Sequence, residues 1–269
     1  MPLYSAVAPL PANRIKNRLF DPDARNYILR VEAADGQPLE RQVQGAINSF
    51  VIGCKQDGIW SAIRASCIMA GARTLSGALI PLVGNAPSNN AFVSGDYNRK
   101  TGLLGDGSTK SLSTGYFSST FFQQNNHHLS VYVTSAPTSS ATTKVFLGNA
   151  SALGSRVFIA KNASDQFSAR LANVSTAVNV SGQGTTTGFK GGARSSSTAV
   201  IARSAQTNTS TSITSGAIAA GLSMSVFAGG GSSLCNARMS FYSMGDNLDL
   251  ALLDARITTL MNTLASVIV

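Results

Sequence analysis

Between residues 85 and 245 the sequence consists of short runs rich in β-branched and aromatic residues, separated by clusters of Gly, Ser, Asn and Thr. This pattern is typical of an antiparallel β-sandwich, in which short strands alternate with turns. The runs predict strands at Leu129–Thr134, Lys144–Leu147, Arg156–Ala160, Gln166–Leu171, Gly188–Ser195, Thr198–Ser204, Met224–Gly229 and Ala237–Met244. An Asp106-Gly107 dipeptide flanked by apolar residues predicts a tight turn. We therefore expect a mainly β fold.

The last of these strands is followed by a change from alternating to helical spacing of the apolar residues. Gly245-Asp246-Asn247 ends the strand, and Asn247 or Asp249 is expected to cap the helix. The apolar positions then recur at steps of three and four residues: Leu250, Leu253, Ile257, Leu260, Leu264 and Val267. Such a seam can form the axis of a homotrimer, which makes these residues candidates for oligomerisation. Because the seam is shorter than a free coiled coil requires, packing on the sandwich is the alternative.

The N-terminal part of the chain has a different character. Residues 1–37 predict an extended arm that contains one short helix, which begins at Asp21-Pro22-Asp23 and ends at Asp35-Gly36. Residues 38–70 predict a helical hairpin, since apolar residues recur at helical spacing on both sides of Asp57-Gly58. In its second helix the lone Trp60 is either a binding aromatic or an anchor in the core.

These patterns divide the chain into four parts. An arm (1–37) precedes the hairpin with an extended connector (38–84), for which we expect attachment to a larger particle. The sandwich (85–245) and the C-terminal helix (246–269) complete the chain. Pro81 in the connector is expected to keep it out of the centre of a sheet.

The composition limits the classes of partner. Charged residues make up 12% of the chain, the formal net charge is +9 and the pI is about 9.8. The excess of basic residues favours an anionic partner, but no block of basic residues indicates nucleic-acid binding. No apolar run is long enough to span a membrane, and Met1-Pro-Leu-Tyr does not resemble a signal peptide. Cys54, Cys67 and Cys235 have no metal-binding or disulfide-framework spacing and are expected to be buried thiols.

The sequence offers little for catalysis. Glycoside hydrolysis requires two carboxylates at a fixed separation, yet residues 85–245 contain only Asp96, Asp106 and Asp165. Asp106 is explained by its turn, which leaves Asp96 and Asp165 as the conceivable pair. The adjacent His127 and His128 would point to opposite faces of a strand and could not share a metal. We expect no enzymatic activity, no cofactor and no metal site.

The candidate ligand-binding residues lie close together in the sequence. Sugars are held by an aromatic ring with polar side chains around it. The residues that offer this combination are Asp96, Tyr97, Asn98, Arg99 and Tyr116. Nearby Phe117, Phe121 and Phe122 could add to such a site, although burial in the core is the alternative for these aromatics.

Two segments resemble a known family. Gly105-Asp-Gly-Ser-Thr-Lys-Ser-Leu112 is similar to the turn that opens laminin-G-like and concanavalin-A-like sandwiches, and Met239–Asp254 resembles their closing strand and short helix. This resemblance implies a concanavalin-A-like (jelly-roll) β-sandwich, with a helical N-terminal region and one C-terminal amphipathic helix. It also implies that the first and last strands of the sandwich are neighbours in one sheet.

The chain as a whole, including Ala46–Trp60, also resembles uncharacterised structural proteins of tailed bacteriophages and prophages. This resemblance implies a virion protein, assembled in the host cytoplasm, whose partners are other tail or baseplate proteins. The expected role is a homotrimeric tail-fibre or baseplate-associated subunit that presents its lectin-like domain to a host surface glycan. The alternatives are a capsid decoration protein and a carbohydrate-binding or depolymerase domain. Neither nucleic acid nor a membrane is an expected partner.

Overall fold

The computed structural model describes residues 20–149 and 155–269. The first half of the predicted arm therefore lies outside the described residues. The helices are α1 (Pro22–Asp35), α2 (Arg41–Gln56), α3 (Leu75–Ala78), α4 (Ser118–Phe121) and α5 (Leu250–Val267), with 3-10 turns at Trp60–Ala62 and Ser94–Asp96. The strands are β1 (Ile63–Ile68), β2 (Pro81–Val83), β3 (Ser88–Asn90), β4 (Tyr97–Asn98), β5 (Gly102–Leu104), β6 (Ser111–Phe117), β7 (His127–Ser135), β8 (Lys144–Gly148), β9 (Arg156–Lys161), β10 (Phe167–Asn173), β11 (Val178–Val180), β12 (Gly188–Arg194), β13 (Ala199–Ser204), β14 (Thr207–Ser212), β15 (Ser223–Val226) and β16 (Arg238–Gly245).

The strands form two antiparallel sheets, which confirms the predicted β-sandwich. The larger sheet has nine strands in the order β14-β13-β12-β7-β16-β1-β2, with β5 pairing with β16 and β4 with β5. The smaller sheet has seven strands in the order β11-β10-β9-β8-β15-β6-β3. The helices α1, α2 and α5 cover the outer face of the larger sheet, so the molecule has three layers.

Two apolar cores separate these layers. Between the sheets, alternate residues such as Leu129, Val131 and Val133 of β7 are fully buried against the smaller sheet. On the outer face of the larger sheet, the helices contribute Tyr27, Phe50 and Ile257 to a second core. In this second core the rings of Phe50 and Phe241 make an edge contact with centroids 5.9 Å apart. The central strands of the larger sheet are consequently buried on both faces.

The structure confirms most of the predicted elements. All eight predicted strands are present, with ends that differ from the prediction by a few residues. Asp21 caps α1 by accepting a hydrogen bond from the Asp23 N–H, and Asp249 caps α5 in the same way. Asp106 accepts from the N–H groups of the next turn, as expected.

The predicted helical hairpin and connector require correction. The first helix exists as α2, but Ile63–Ile68 is not a helix: it is β1, paired with both β16 and β2. Ile59, Ile63 and Cys67 recur every four residues, and this spacing predicted a helix although Ile63, Ala65 and Cys67 also fit the alternation of a strand. The connector contains the short helix α3 and the strand β2. β2 begins at Pro81 and lies at the edge of the sheet, as predicted. Strands on both sides of residue 84 thus share one sheet.

The implied pairing of the first and last strands of the sandwich is confirmed, although the first strand is β1 and not a strand that follows the Asp106 turn. The strand that follows the Asp106 turn, β6, belongs to the smaller sheet, whereas β16 lies in the larger one. The position beside β16 is taken by β1, which precedes that turn by about forty residues in the chain and is the first strand of the sandwich.

The seam of α5 is buried within the chain. Five of its residues are at most 3% exposed: Leu250, Leu253, Ile257, Leu260 and Leu264. They pack against α2 and β12, and Val267 is half-buried against the same core. Arg256 secures the contact through a bidentate ion pair with Asp57 at the end of α2, at 2.7 and 2.8 Å. This corrects the expected contact between chains, because the helical spacing serves the chain's own core.

Candidate binding site

The residues predicted to bind a ligand between positions 96 and 99 are engaged in holding the fold. The Asp96 carboxylate lies 2.6 Å from the Lys110 ammonium. The Tyr97 hydroxyl donates a 2.6 Å hydrogen bond to the Ala72 carbonyl, and Arg99 donates to the same carbonyl. These contacts tie the segment to the loop that follows β1.

The remaining hydrogen bonds of residues 96–99 also hold the fold together. Arg99 binds both carboxylate oxygens of Glu40, at 3.1 and 2.8 Å, and this pairing lowers the pKa of Glu40. Asn98 is exposed, but its side-chain oxygen accepts from the N–H groups of Lys100 and Thr101 and so closes a turn.

Tyr116 is not part of a site with these residues. Its hydroxyl accepts a hydrogen bond from the Asn85 N–H, and its ring packs 4.4 Å from that of Phe121. In the described part of the chain it shares no hydrogen-bond partner with Asp96, Tyr97 or Arg99. Phe121 and Phe122 are buried in the core, whereas Phe117 is 50% exposed.

The conceivable catalytic pair is also separated by its contacts. Asp165 forms an ion pair with Lys161 at 2.6 Å, which lowers the pKa of the carboxyl group, and it accepts a bond from Ser139. The partners of Asp96 are Lys110 and the Val93 N–H. The two carboxylates thus have no contact residue in common.

The other carboxylates of the protein are likewise engaged by structural partners. All twelve Asp and Glu residues lie in the described part of the chain. Eight form ion pairs: Asp21, Asp23, Glu40, Asp57, Asp96, Asp165, Asp246 and Asp254. The other four accept hydrogen bonds in turns, caps or loops: Glu32, Asp35, Asp106 and Asp249. Every carboxylate therefore has a structural partner.

The two histidines are fully buried on opposite faces of β7. His127 Nδ1 donates to the Gln123 carbonyl at 2.8 Å, and its ring lies against Phe122 between the sheets. His128 faces the helical layer, where Nδ1 donates to the Asp246 carbonyl at 2.5 Å and Nε2 accepts from Ser243. Burial lowers the pKa of each to about 4. Among the described residues no group of three or more His, Cys, Asp or Glu side chains is close enough to hold a metal ion.

A surface groove with a volume of about 570 Å³ lies along α1. Its lining residues are Phe20, Pro22, Arg25, Asn26, Leu29, Arg30 and Ala33. Leu29 is 47% exposed and offers apolar surface to this groove. The groove thus combines two guanidinium groups with an accessible apolar floor.

A second cleft of about 250 Å³ continues this groove towards the sheet. It shares Asn26 and Arg30 with the first, and it is also lined by the half-buried Trp60 and the exposed Asp23. Leu82 and Val83 of β2 complete the wall. We refer to the two clefts together as the α1 groove.

The fold places these side chains firmly. Asp21 and Asp23 at the start of α1 both contact Lys55, at 2.8 and 2.6 Å, which fixes α1 against α2. Arg30 donates to the Asn26 side chain at 3.0 Å and to the Pro81 carbonyl at 2.9 Å. These bonds hold the shared wall of the groove between α1 and β2.

The electrostatics of the groove are positive. Lys55 balances part of the charge of Asp21 and Asp23, while no carboxylate of the described chain pairs with Arg25 or Arg30. A guanidinium without an anionic partner is suited to a carboxylate or phosphate, which it can bind through two parallel hydrogen bonds.

Trp60 was a candidate from the sequence, whereas Arg25, Leu29 and Arg30 were not predicted. One signal was available: Leu29 falls on the polar side of α1, one turn after Arg25. The other half of the groove depends on β2, which the sequence does not place beside α1.

Comparisons with known proteins supply no family. No protein-family model and no curated protein matches the sequence. None of the described helices combines the length and apolar character that crossing a bilayer would require.

Solved structures with partial similarity include the binding domain of botulinum neurotoxin serotype D, at 8% identity and a TM-score of 0.49, covering 74% of this chain and 51% of that chain. The binding domain of botulinum neurotoxin DC in complex with rat synaptotagmin II matches at 9% identity and 0.40, covering 76% and 52%. A Trypanosoma rangeli sialidase in complex with the inhibitor DANA matches at 10% and 0.38, covering 81% and 38%. The chain spans about half the length of the two toxin domains, and at these scores their properties do not carry over to it.

Proposed function

We propose that this chain is a non-enzymatic binding protein of a tailed-phage particle, and that it adsorbs to an anionic glycan of the host surface through the α1 groove. The observation that carries the proposal is the arrangement of Trp60, Arg30 and Asn26 around one cleft, which shares Arg30 and Asn26 with the neighbouring groove. An aromatic ring, an amide and guanidinium groups without a carboxylate partner are side chains that can hold an acidic sugar. The proposed binding site is therefore the α1 groove and not residues 96–99 and 116.

The absence of enzymatic activity in this proposal rests on the carboxylates. A general acid in a glycosidase needs a raised pKa and a position facing the substrate. Here Arg99, Arg256 and Lys161 lower the pKa values of Glu40, Asp57 and Asp165, respectively. The carboxylates thus support the fold, which argues against the depolymerase alternative.

The phage part of the proposal rests on the sequence resemblance and on composition. A low content of charged residues with a net charge of +9 suits a particle that approaches an anionic cell envelope. In this role the chain is a tail-fibre or baseplate-associated subunit, located in the virion after assembly in the host cytoplasm. A capsid decoration protein would share the fold but would not need a ligand in the α1 groove.

The lone Trp60 provides the assay. We expect its fluorescence to change on titration with a carboxylated polysaccharide such as polygalacturonate, and to remain constant with neutral dextran. Replacing Arg25→Gln removes one guanidinium from the groove and is expected to weaken binding about tenfold, the value of one charge-assisted hydrogen bond.

The matched control is Lys100→Gln. This substitution removes the same charge from an exposed position outside the groove, so it is expected to leave the affinity nearly unchanged. Equal losses in both variants would indicate general attraction to a basic protein, and no binding by the unmodified chain would favour the decoration alternative. Either result contradicts the proposed groove.

A further inference from the structure

The strand β14 forms one end of the nine-stranded sheet and has an open edge. One of its edges pairs with β13 over all six residues, and no residue in the described ranges pairs with the other. Five of the six residues are exposed, and only Thr209 is half-buried. β11 of the smaller sheet lies alongside it without hydrogen bonding.

The direction of its backbone groups follows from one hydrogen bond. The Ile213 N–H, which directly follows β14, donates to the Thr198 carbonyl at 2.8 Å. In an antiparallel pair, the residues that exchange hydrogen bonds with the partner alternate with residues that point away. The residues whose N–H and C=O groups point away from β13 are therefore Asn208, Ser210 and Ser212.

This edge lacks the features by which proteins usually protect edge strands. Charged side chains, proline, bulges and short length all hinder the addition of another strand. β14 contains only Thr, Asn and Ser, and its register with β13 is unbroken. The edge strands β2, β3 and β11 have three residues each. β14 is the one long, regular edge in the described sheets.

We propose that β14 binds β14 of a second copy of this chain, antiparallel, about a two-fold axis at Ser210. Ser210 then lies opposite Ser210 of the second copy, and Asn208 lies opposite Ser212. In each of these three pairs the two residues exchange both N–H···O bonds, so six hydrogen bonds, three times two, join the sheets. Every outward backbone group of Asn208, Ser210 and Ser212 finds a partner in an identical strand, which is the condition for an isologous dimer.

Charge explains why a second copy is a suitable partner here. A net charge of +9 opposes contact between copies over most of the surface. The 34 residues from 204 to 237 contain no Asp, Glu, Lys, Arg or His, so β14 lies in an uncharged stretch. Two copies can therefore approach at this edge without opposing like charges, and facing Ser and Thr side chains can add hydrogen bonds across the pair.

Sedimentation velocity of the full chain, at protein concentrations from about 1 to 100 μM, tests the proposal. Ser210→Pro removes an N–H that the pairing with β13 does not use, and Ser210→Ala is the matched control that retains it. We expect dimers of the unmodified chain and of Ser210→Ala, and at least a tenfold weaker association of Ser210→Pro. Circular dichroism and thermal unfolding should be the same for all three.

A second variant covers the case in which proline perturbs the strand. Ser210→Lys places two ammonium groups opposite each other at the axis, so we expect monomers at low salt. A monomeric unmodified chain over this range, or equal association of all variants, would overturn the proposal. The Arg25→Gln variant should still dimerise, because Arg25 lies in the α1 groove and not at β14. Loss of dimerisation and loss of glycan binding can therefore be told apart.

Discussion

Acidification from pH 7.5 to pH 5 should destabilise this protein strongly because of its two histidines. His127 and His128 are both 0% exposed, and each has its Nδ1 hydrogen on a backbone carbonyl. Their pKa values are lowered from 6.5 to about 4. Since the folded pKa lies below the unfolded one, these groups contribute stability above pH 6.5 that is lost as the pH falls towards 4.

The magnitude follows from the protons that unfolding takes up. Between pH 6.5 and 4 the unfolded chain binds two more protons than the folded chain, one for each histidine. One proton corresponds to about 1.4 kcal/mol per pH unit, so the free energy of unfolding should fall by about 4 kcal/mol between pH 6.5 and 5. The carboxyl groups contribute mainly below this window, because their unfolded pKa values are about 4.

Urea unfolding, followed by circular dichroism at pH 7.5 and pH 5, measures this loss. His128→Asn keeps an N–H donor for the Asp246 carbonyl but does not titrate, and His127→Asn does the same for the Gln123 carbonyl. Each variant should lose about half of the pH-dependent change. Equal stability of the unmodified chain at the two pH values, or an unchanged loss in both variants, would refute the reasoning.

Three further outcomes are expected. Burial lowers the pKa of the fully buried Lys190 to about 8. Between pH 8 and 10.5 the unmodified chain should therefore gain about 3 kcal/mol of unfolding free energy relative to Lys190→Met. Parallel urea titrations of the two chains measure this difference, and a difference that does not change with pH would contradict the prediction. Arg203 and Asp254 form a buried ion pair at 2.8 Å. Asp254→Asn should lower the free energy of unfolding in urea by about 3–5 kcal/mol because it leaves the arginine without its charged partner. A loss below about 1 kcal/mol would contradict the burial of this ion pair. Leu253→Ala should lower the free energy of unfolding by about 2–5 kcal/mol and leave the mass in solution unchanged, since Leu253 is buried within the chain. If light scattering showed that the substitution dissociates an oligomer, α5 would form a contact between chains after all.

The strands that the sequence predicted are those in which apolar residues alternate and no helical spacing competes with the alternation. In β7, apolar Leu129, Val131 and Val133 face the other sheet and alternate with residues on the helical side. In β1, Ile63 and Cys67 also fit a helical repeat that starts at Ile59, so only the pairing with β16 identifies β1 as a strand.

The seam of α5 illustrates a second limit. Apolar residues at steps of three and four fit a helix that packs on another copy as well as one that packs on its own domain. The deciding contact, Arg256 with Asp57, joins residues 199 positions apart in the chain. No local pattern contains that information.

The candidate site was missed for the same reason. Arg30 meets the Pro81 carbonyl 51 residues away, and Trp60 reaches the same cleft from the turn before β1. In contrast, residues 96–99 attract attention in the sequence because aromatic and charged side chains are adjacent there. Their contacts with Ala72, Glu40 and Lys110 are long-range and explain them as structural.

The most direct test of the account is the indole N–H resonance of Trp60 during titration of the ¹⁵N-labelled chain with an acidic oligosaccharide. The chain has one tryptophan, so the spectrum contains a single such signal, and it reports on the α1 groove alone. We predict a saturable shift in the unmodified chain and in Lys100→Gln, and a much weaker response in Arg25→Gln. A Trp60 signal that does not move while the oligosaccharide binds elsewhere would contradict the proposed site.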